Sequence, residues 1–233
     1  MKLGIMQPYF LPYIGYWQLM AHVDVFVVYD NIQYTKKGWI NRNRYLCNGN
    51  DKYFSIPLKK DSDFLNVDER YISDSFDSEK LKNQIKMTYA KAPYFKETYK
   101  VFERILAYED RNLFNFLFNS INEIRDYLQI ETELVVSSML DIDFELKGKD
   151  KVQAICKALC ADQYVNPIGG LELYDKTEFC ENGIELSFLQ SDLEQIVYKQ
   201  FNNPFVQALS ILDVLMFNSV DEVKQMLGLY KIV

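Results

Sequence analysis

A pair of short apolar runs near the start constrains this chain more than any other feature. Residues 2–7, KLGIMQ, are stopped by Pro8, and residues 24–30, DVFVVYD, are β-branched or aromatic through their centre. Each has the length and composition of a buried strand. Between them, Tyr13, Trp17 and Met20 recur at helical spacing, with Gly15 facing back toward the turn. Two strands joined through a helix make a βαβ unit, and its strands run parallel. Gln7 and Asp30 then leave the sheet at one carboxyl edge, where open α/β sheets bind ligands. The segment that follows is dense in hydrogen-bonding groups: Gln33, Lys36, Lys37, Trp39, Asn41, Arg42, Asn43 and Arg44. The pattern predicts the functional site at this edge.

The rest of the chain supplies the frame. Asn48-Gly49 lies between two strand-like runs and predicts a hairpin. If its first strand begins near Trp39, alternation puts Arg42 and Arg44 on one face and Trp39, Asn41 and Asn43 on the other. Two guanidiniums side by side suit a diphosphate. A short strand is expected over residues 70–73. Residues 78–130 read as three helices, roughly 78–92, 94–108 and 112–128, with Ser78 as N-cap and a break at Pro93. Tyr89, Tyr94, Phe95, Tyr99 and Phe102 form a stripe there that suits packing between helices. Strands at 134–138, 163–168 and 184–189 then alternate with helices at 150–159 and 171–180. Gly169-Gly170 ends the second of these strands, as a plain turn or as a place where amides approach a phosphate. The last helix is expected over residues 205–217, with Asn203 as N-cap and Pro204 in its first turn. Ser210 and Asp213 share one side of it, and a buried Asp needs a partner. The expected class is α/β: a Rossmann-like, mostly parallel sheet with helices on both faces, a β-hairpin after strand two, and residues 78–130 as a helical insertion in one domain spanning 1–233.

Composition narrows the function. A net charge of −7 argues against general nucleic-acid binding. Residues 35–60 nevertheless hold Lys36, Lys37, Arg42, Arg44, Lys52, Lys59 and Lys60 against Asp51 alone. Such an island suits a phosphorylated small molecule better than a polymer. No apolar run is long enough for a membrane span, and a cytoplasmic protein is expected. The abundance of Tyr and Phe, 17 and 16 residues, suits core packing first and stacking on sugars or bases second. Cys156 and Cys160 have a spacing that zinc can use, but Cys47 and Cys180 offer no partner spacing, so buried free thiols are the better account. Walker A, G-x-G-x-x-G and G-x-S-x-G sequences are absent, and His22 is the only histidine.

Gln7-Pro8-Tyr9-Phe10-Leu11-Pro12-Tyr13-Ile14-Gly15-Tyr16, then Asp30, Gln33 and Gly38-Trp39-Ile40-Asn41-Arg42-Asn43-Arg44, closely resemble the WbqC-like proteins. A second matching block is Tyr198-Lys199-Gln200-Phe201, Pro204-Phe205, Ser210-Ile211-Leu212-Asp213 and Phe217-Asn218. That bacterial family is associated with O-antigen and other surface-polysaccharide gene clusters, and glycine transfer to an amino sugar has been suggested for it. The resemblance implies an enzyme acting on a nucleotide sugar and a glycine donor, an aminoacyl-tRNA being one form that donor can take. Asp30 is then the expected general base. Gln7, Tyr9, Asn41 and Asn43 would orient hydroxyls or donate to an oxyanion. Trp39 and Tyr16 would stack on a base or sugar, and Arg42 with Arg44 would hold the diphosphate. Tyr13, Gly15, Gln33, Lys36, Tyr198, Gln200 and Asp213 complete the expected substrate-binding set. No metal ligands are expected.

Tyr13-Ile14-Gly15-Tyr16 is also similar in placement to the His-x-Gly-His motif of HIGH-type nucleotidyltransferases, with both histidines replaced by tyrosine. That similarity implies an adenylate-forming enzyme using ATP and Mg2+, with nucleotide lying against Gly15. A non-catalytic sugar-nucleotide-binding subunit is the third alternative.

Overall fold

The computed structural model describes residues 1–233. Its first unit is β1 (Lys2–Met6), α1 (Ile14–His22) and β2 (Val25–Val28), with β1 and β2 parallel and Leu3 opposite Val25. A hairpin of β3 (Arg42–Cys47) and β4 (Asn50–Ser55) follows as a separate two-stranded sheet. Its turn residues, Asn48 and Gly49, both take left-handed φ, 52° and 78°, the conformation a two-residue hairpin favours. Three helices come next: α2 (Ser78–Tyr89), α3 (Phe95–Leu106) and α4 (Leu113–Tyr127). The chain returns to the sheet through β5 (Glu133–Val136), α5 (Gly148–Ala158), β6 (Gln163–Pro167), α6 (Lys176–Glu181) and β7 (Glu185–Ser191). It ends in α7 (Ile211–Phe217), α8 (Val220–Leu227) and β8 (Tyr230–Ile232).

The main sheet runs β5-β2-β1-β6-β7-β8. Every neighbouring pair is parallel except β7 with β8. Strand order therefore reverses between β1 and β6, and the carboxyl ends of those strands frame the crevice that such a reversal opens. Alternation distributes the core. Leu3, Ile5, Val25 and Val27 pack with Val152, Ile155, Cys156 and Phe179 of α5 and α6. Phe26, Val28, Val165 and Leu189 face α1 and join a larger cluster that continues through the hairpin and α2–α4. The sheet is thus Rossmann-like, with helices on both faces. No helix is long and apolar enough to cross a membrane.

Local readings need correction at several places. Asp77, not Ser78, caps α2 by accepting from the Lys80 amide at 2.9 Å. Residues 70–73 make only isolated bridges, Leu58 with Ile72 and Tyr71 with Asn112. Of residues 171–180, only the stretch from Lys176 onward is α-helical, because Asp175 caps there. The helix expected over residues 205–217 begins only at Ile211, capped by Ser210, and residues 205–209 are not helical; Ala208 holds φ at 54°, and a further helix, α8, follows it. β8 had no signal in the sequence, since three residues are too few to show a period. Of the four cysteines only Cys156 is buried, and Cys160 and Cys180 are exposed.

Candidate active site at the carboxyl edge of the sheet

The turn after β1 is clamped from three directions. Leu11 has a left-handed φ of 47°, a costly conformation for a leucine that its surroundings must enforce. Asn43 donates to the carbonyls of Phe10 and Leu11 at 3.2 and 2.8 Å. Ser210 Oγ donates to Leu11 at 2.7 Å, and the Trp17 indole to Pro12 at 3.2 Å. This clamp sets Gln7 and Tyr9 at the mouth of the crevice.

A cleft of about 940 Å³ opens there, within the size range of small-molecule sites. Gln7 and Tyr9 enter it from the turn, Tyr29, Asn31 and Gln33 from beyond β2, and Asn166, Pro167, Gly169 and Gly170 from the end of β6. Lys147, Gly148 and Lys151 bring the amino end of α5 to its far side, and Glu145 is the only carboxylate in the lining. Tyr164, Tyr174, Phe64 and Phe144 supply aromatic surface. Several donors are unspent. Asn166 Oδ1 accepts from the Tyr164 hydroxyl at 3.2 Å, leaving its NH2 group free. Gln7 Oε1 accepts weakly from Tyr9 at 3.5 Å, and its NH2 is free likewise. A Cβ on Gly170 would lie 1.9 Å from Asn166 Nδ2, so the bare glycine is what admits that side chain. Burial raises the pKa of the Tyr9 hydroxyl, and neighbouring Tyr13 adds to the effect. Tyr9 therefore stays protonated and able to donate.

Asp30 sits at the end of β2 but does not line this cleft. It is 2% exposed. Oδ1 accepts from Ser137 Oγ at 2.7 Å and the Ser138 amide at 3.0 Å, and Oδ2 accepts from Ser138 Oγ at 2.5 Å. These bonds fasten the end of β2 to the 3-10 turn after β5.

The basic island folds elsewhere than expected. Arg42 donates to the carbonyls of Gly38 and Lys37 at 3.0 and 2.6 Å. Arg44 pairs with Asp51 at 3.3 Å and donates to Ala208 at 2.9 Å. The two share a face as alternation required, but their terminal guanidinium nitrogens and Arg42 Nε brace loops, while Arg44 Nε is buried without a partner. Trp39 lies with them, 5.8 Å from the Arg44 guanidinium and stacked on Tyr53 at 6.1 Å. The strand begins only at Arg42, so alternation never reached Trp39. Tyr9, Tyr13, Trp39, Asn43 and Arg44 enclose part of a separate cavity of about 210 Å³, which shares Tyr9 with the cleft. Lys36 pairs with Asp63 at the surface, and Gln33 donates to the Asp63 carbonyl at 2.9 Å.

Other expected contacts are internal. Asn41 donates to Ile56 at 2.7 Å and accepts from Tyr34 at 2.9 Å. With Asn43 spent on the clamp, neither amide is free for an oxyanion. Tyr16 is buried against Phe26 and Trp17 at 5.1 and 5.7 Å. A Cβ on Gly15 would fall 2.4 Å from the Tyr13 ring, so Tyr13 fills the space an adenine nucleotide would need. Tyr198, Gln200 and Asp213 do converge, but away from the cleft. Asp213 accepts from Tyr89, Tyr198 and Gln200, each at 2.7 Å. His22 Nδ1 meets the Tyr230 hydroxyl at 2.7 Å. No three His, Cys, Asp or Glu side chains gather as a metal ligand set.

Lys151, Asn166 and Glu145 also line the cleft and carry no local sequence signal of their own. Gly169-Gly170 was the one signal that pointed toward them, since it marks the end of β6.

Residues 7–225 match the WbqC-like protein family. The chain is 31% identical over 218 residues to the "Uncharacterized protein Rv1507c" of Mycobacterium tuberculosis (strain ATCC 25618 / H37Rv), covering 92% of this chain and 92% of that protein. No solved structure matches.

Proposed function

Because this chain belongs to the WbqC-like protein family, we propose that it is an enzyme of surface-glycan precursor synthesis that transfers glycine, or a similarly small acyl group, to an amino-sugar nucleotide. The observation that carries this reading is the cleft at the strand-order reversal, which combines aromatic walls with donors the protein does not use itself. Attack of a sugar amine on the activated acyl carbonyl forms an amide and breaks the bond to the donor's leaving group (AMP, a thiol or tRNA), and it needs a free amine and a stabilised oxyanion. Glu145 is the carboxylate available to hold the ammonium and accept its proton. Gln7, Tyr9 and the Asn166 amide are the donors available to the oxyanion. Asp30 acts in this scheme as a positioning residue, through the serines that fix β2 against β5. The aromatic lining supports stacking of base and sugar.

The adenylate-forming alternative finds less support, because the Tyr13 ring covers Gly15. The deciding experiment incubates the protein with an amino-sugar nucleotide and with glycine as free amino acid plus ATP and Mg2+, as thioester, or as glycyl-tRNA, and weighs the product. A mass gain of one glycyl residue, dependent on the amino group, is the expected result. Binding of the sugar nucleotide without any mass gain from all three donors would reassign the chain to a non-catalytic binding subunit.

A further inference from the structure

We propose that Lys151 is the anchor for a phosphoryl group of the ligand in the cleft, with the amino end of α5 completing that subsite. The inference rests on the cleft being the ligand site and names the part of the ligand held at its α5 side.

Lys151 lies in the first turn of α5 and is 4% exposed, yet it lines the cleft. It has no carboxylate within ion-pair distance. Its ammonium reaches the Asn31 carbonyl only at 3.4 Å and otherwise faces the rings of Tyr29 and Phe144 at 5.2 and 5.5 Å. Asp30 and Asp68 act on it from farther away, and burial outweighs them, so its pKa is lowered. A buried ammonium so thinly paired is a cost that ligand binding can recover, because an incoming anion supplies the missing partner.

The surroundings favour an anion with several acceptor oxygens. No side chain caps α5, so its first-turn amides are free and the positive end of the helix faces the cleft. Lys147 adds a second cation. Nothing lies within 4 Å of a Cβ built on Gly148 or Gly169, so backbone on both sides is open to approach. Glu145, on the loop before α5, is exposed and is the only carboxylate in the lining, against Lys147 and Lys151. The arginines of the hairpin do not line this cleft, and loop carbonyls and Asp51 take most of their donors.

The test is calorimetric titration with inorganic pyrophosphate, UDP and uridine. Wild type is expected to bind pyrophosphate and to prefer UDP over uridine. Lys151→Met is expected to lose about 10- to 100-fold in affinity for UDP and pyrophosphate, with uridine affinity unchanged and a melting temperature equal to or above wild type. Lys151→Arg, which keeps the charge, should retain most of the pyrophosphate affinity. Equal losses in the Met and Arg variants would indicate a packing role and overturn the proposal. So would unchanged UDP affinity in Lys151→Met, or a wild type that binds neither UDP nor pyrophosphate at millimolar concentration. These titrations involve no glycine. Absence of transfer alongside the predicted losses would therefore overturn the reaction and leave the anchor.

Discussion

Two regions of this protein each bury an ionisable side chain, and they treat it in opposite ways. Asp213 is wholly buried, with Tyr89, Tyr198 and Gln200 all donating to it at 2.7 Å. Tyr89 in turn accepts the Leu46 amide at 2.8 Å, so one carboxylate ties α2, α7, the hairpin and the 198–200 segment together. Lys151 is almost as buried but has one long hydrogen bond and an open cleft before it. Burial does not separate the two. What separates them is whether the protein itself supplies the partners. A saturated buried charge holds the fold, and an unsaturated one facing a cavity awaits a ligand.

Breaking the saturated region should have the largest effect. Asp213→Ala strands three buried donors and is expected to cost about 3–5 kcal/mol in denaturant unfolding. Nucleotide affinity of the fraction still folded should be unchanged; a selective loss of affinity at normal stability would move Asp213 into the site. Asp30 tests the boundary between the regions, because it is saturated yet adjacent to the cleft. Asp30→Asn should lower stability by about 1.5–3 kcal/mol, since it replaces the carboxylate with a neutral amide and turns Oδ2, which accepts from Ser138 Oγ, into an NH2 donor. UDP affinity should fall several-fold, while the saturated rate stays within about threefold of wild type. A hundredfold drop in that rate with normal melting would restore the base role that the sequence suggested.

Gly170→Ala sharpens the cleft side of the comparison. The added Cβ must displace the Asn166 amide, and affinity for the sugar nucleotide should fall about tenfold, or roughly 1.4 kcal/mol. Melting should change little, and unaltered affinity would remove Asn166 from the site. The smallest effect is expected at His22. Burial lowers its pKa, Lys2 adds to the shift and Asp24 opposes it. The unfolded chain therefore binds the proton more readily than the folded one, with an unfolded pKa of about 6.5. The contribution of His22 is present above that pH and is lost as pH falls through the lower folded value. Wild type should lose stability faster than His22→Phe between about pH 6.5 and 5; parallel melting curves across that range would refute the assignment.

The same contrast explains which site residues were legible. Gln7 and Tyr9, which line the cleft, could be placed at the sheet's carboxyl edge because a strand stopped by a proline announces that edge. Arg42, Arg44, Asn41 and Asn43 looked functional because polar groups crowd there. Most of their donors are in fact spent on Gly38, Lys37, Ala208, Ile56, Phe10 and Leu11, and Arg44 Nε alone is buried without a partner. Hydrogen-bonding capacity is visible in a sequence, but its expenditure is not. Asp213 showed the same limit, since its need for a partner could be read and the identity of Tyr89, 124 positions away, could not.

By itself the sequence determined the parallel βαβ start, the Asn-Gly hairpin, the three-helix stretch and the return to alternating strands and helices. Those features follow from local periodicity and turn chemistry, which neighbouring residues carry. Only the tertiary structure decided that β6, not β5, lies beside β1. That choice places Asn166 and the amino end of α5 across from Gln7, and it turns Lys151, inconspicuous in its own helix, into the buried charge facing the cleft. Strand order and side-chain pairing depend on contacts between segments more than a hundred residues apart, and no local pattern records them.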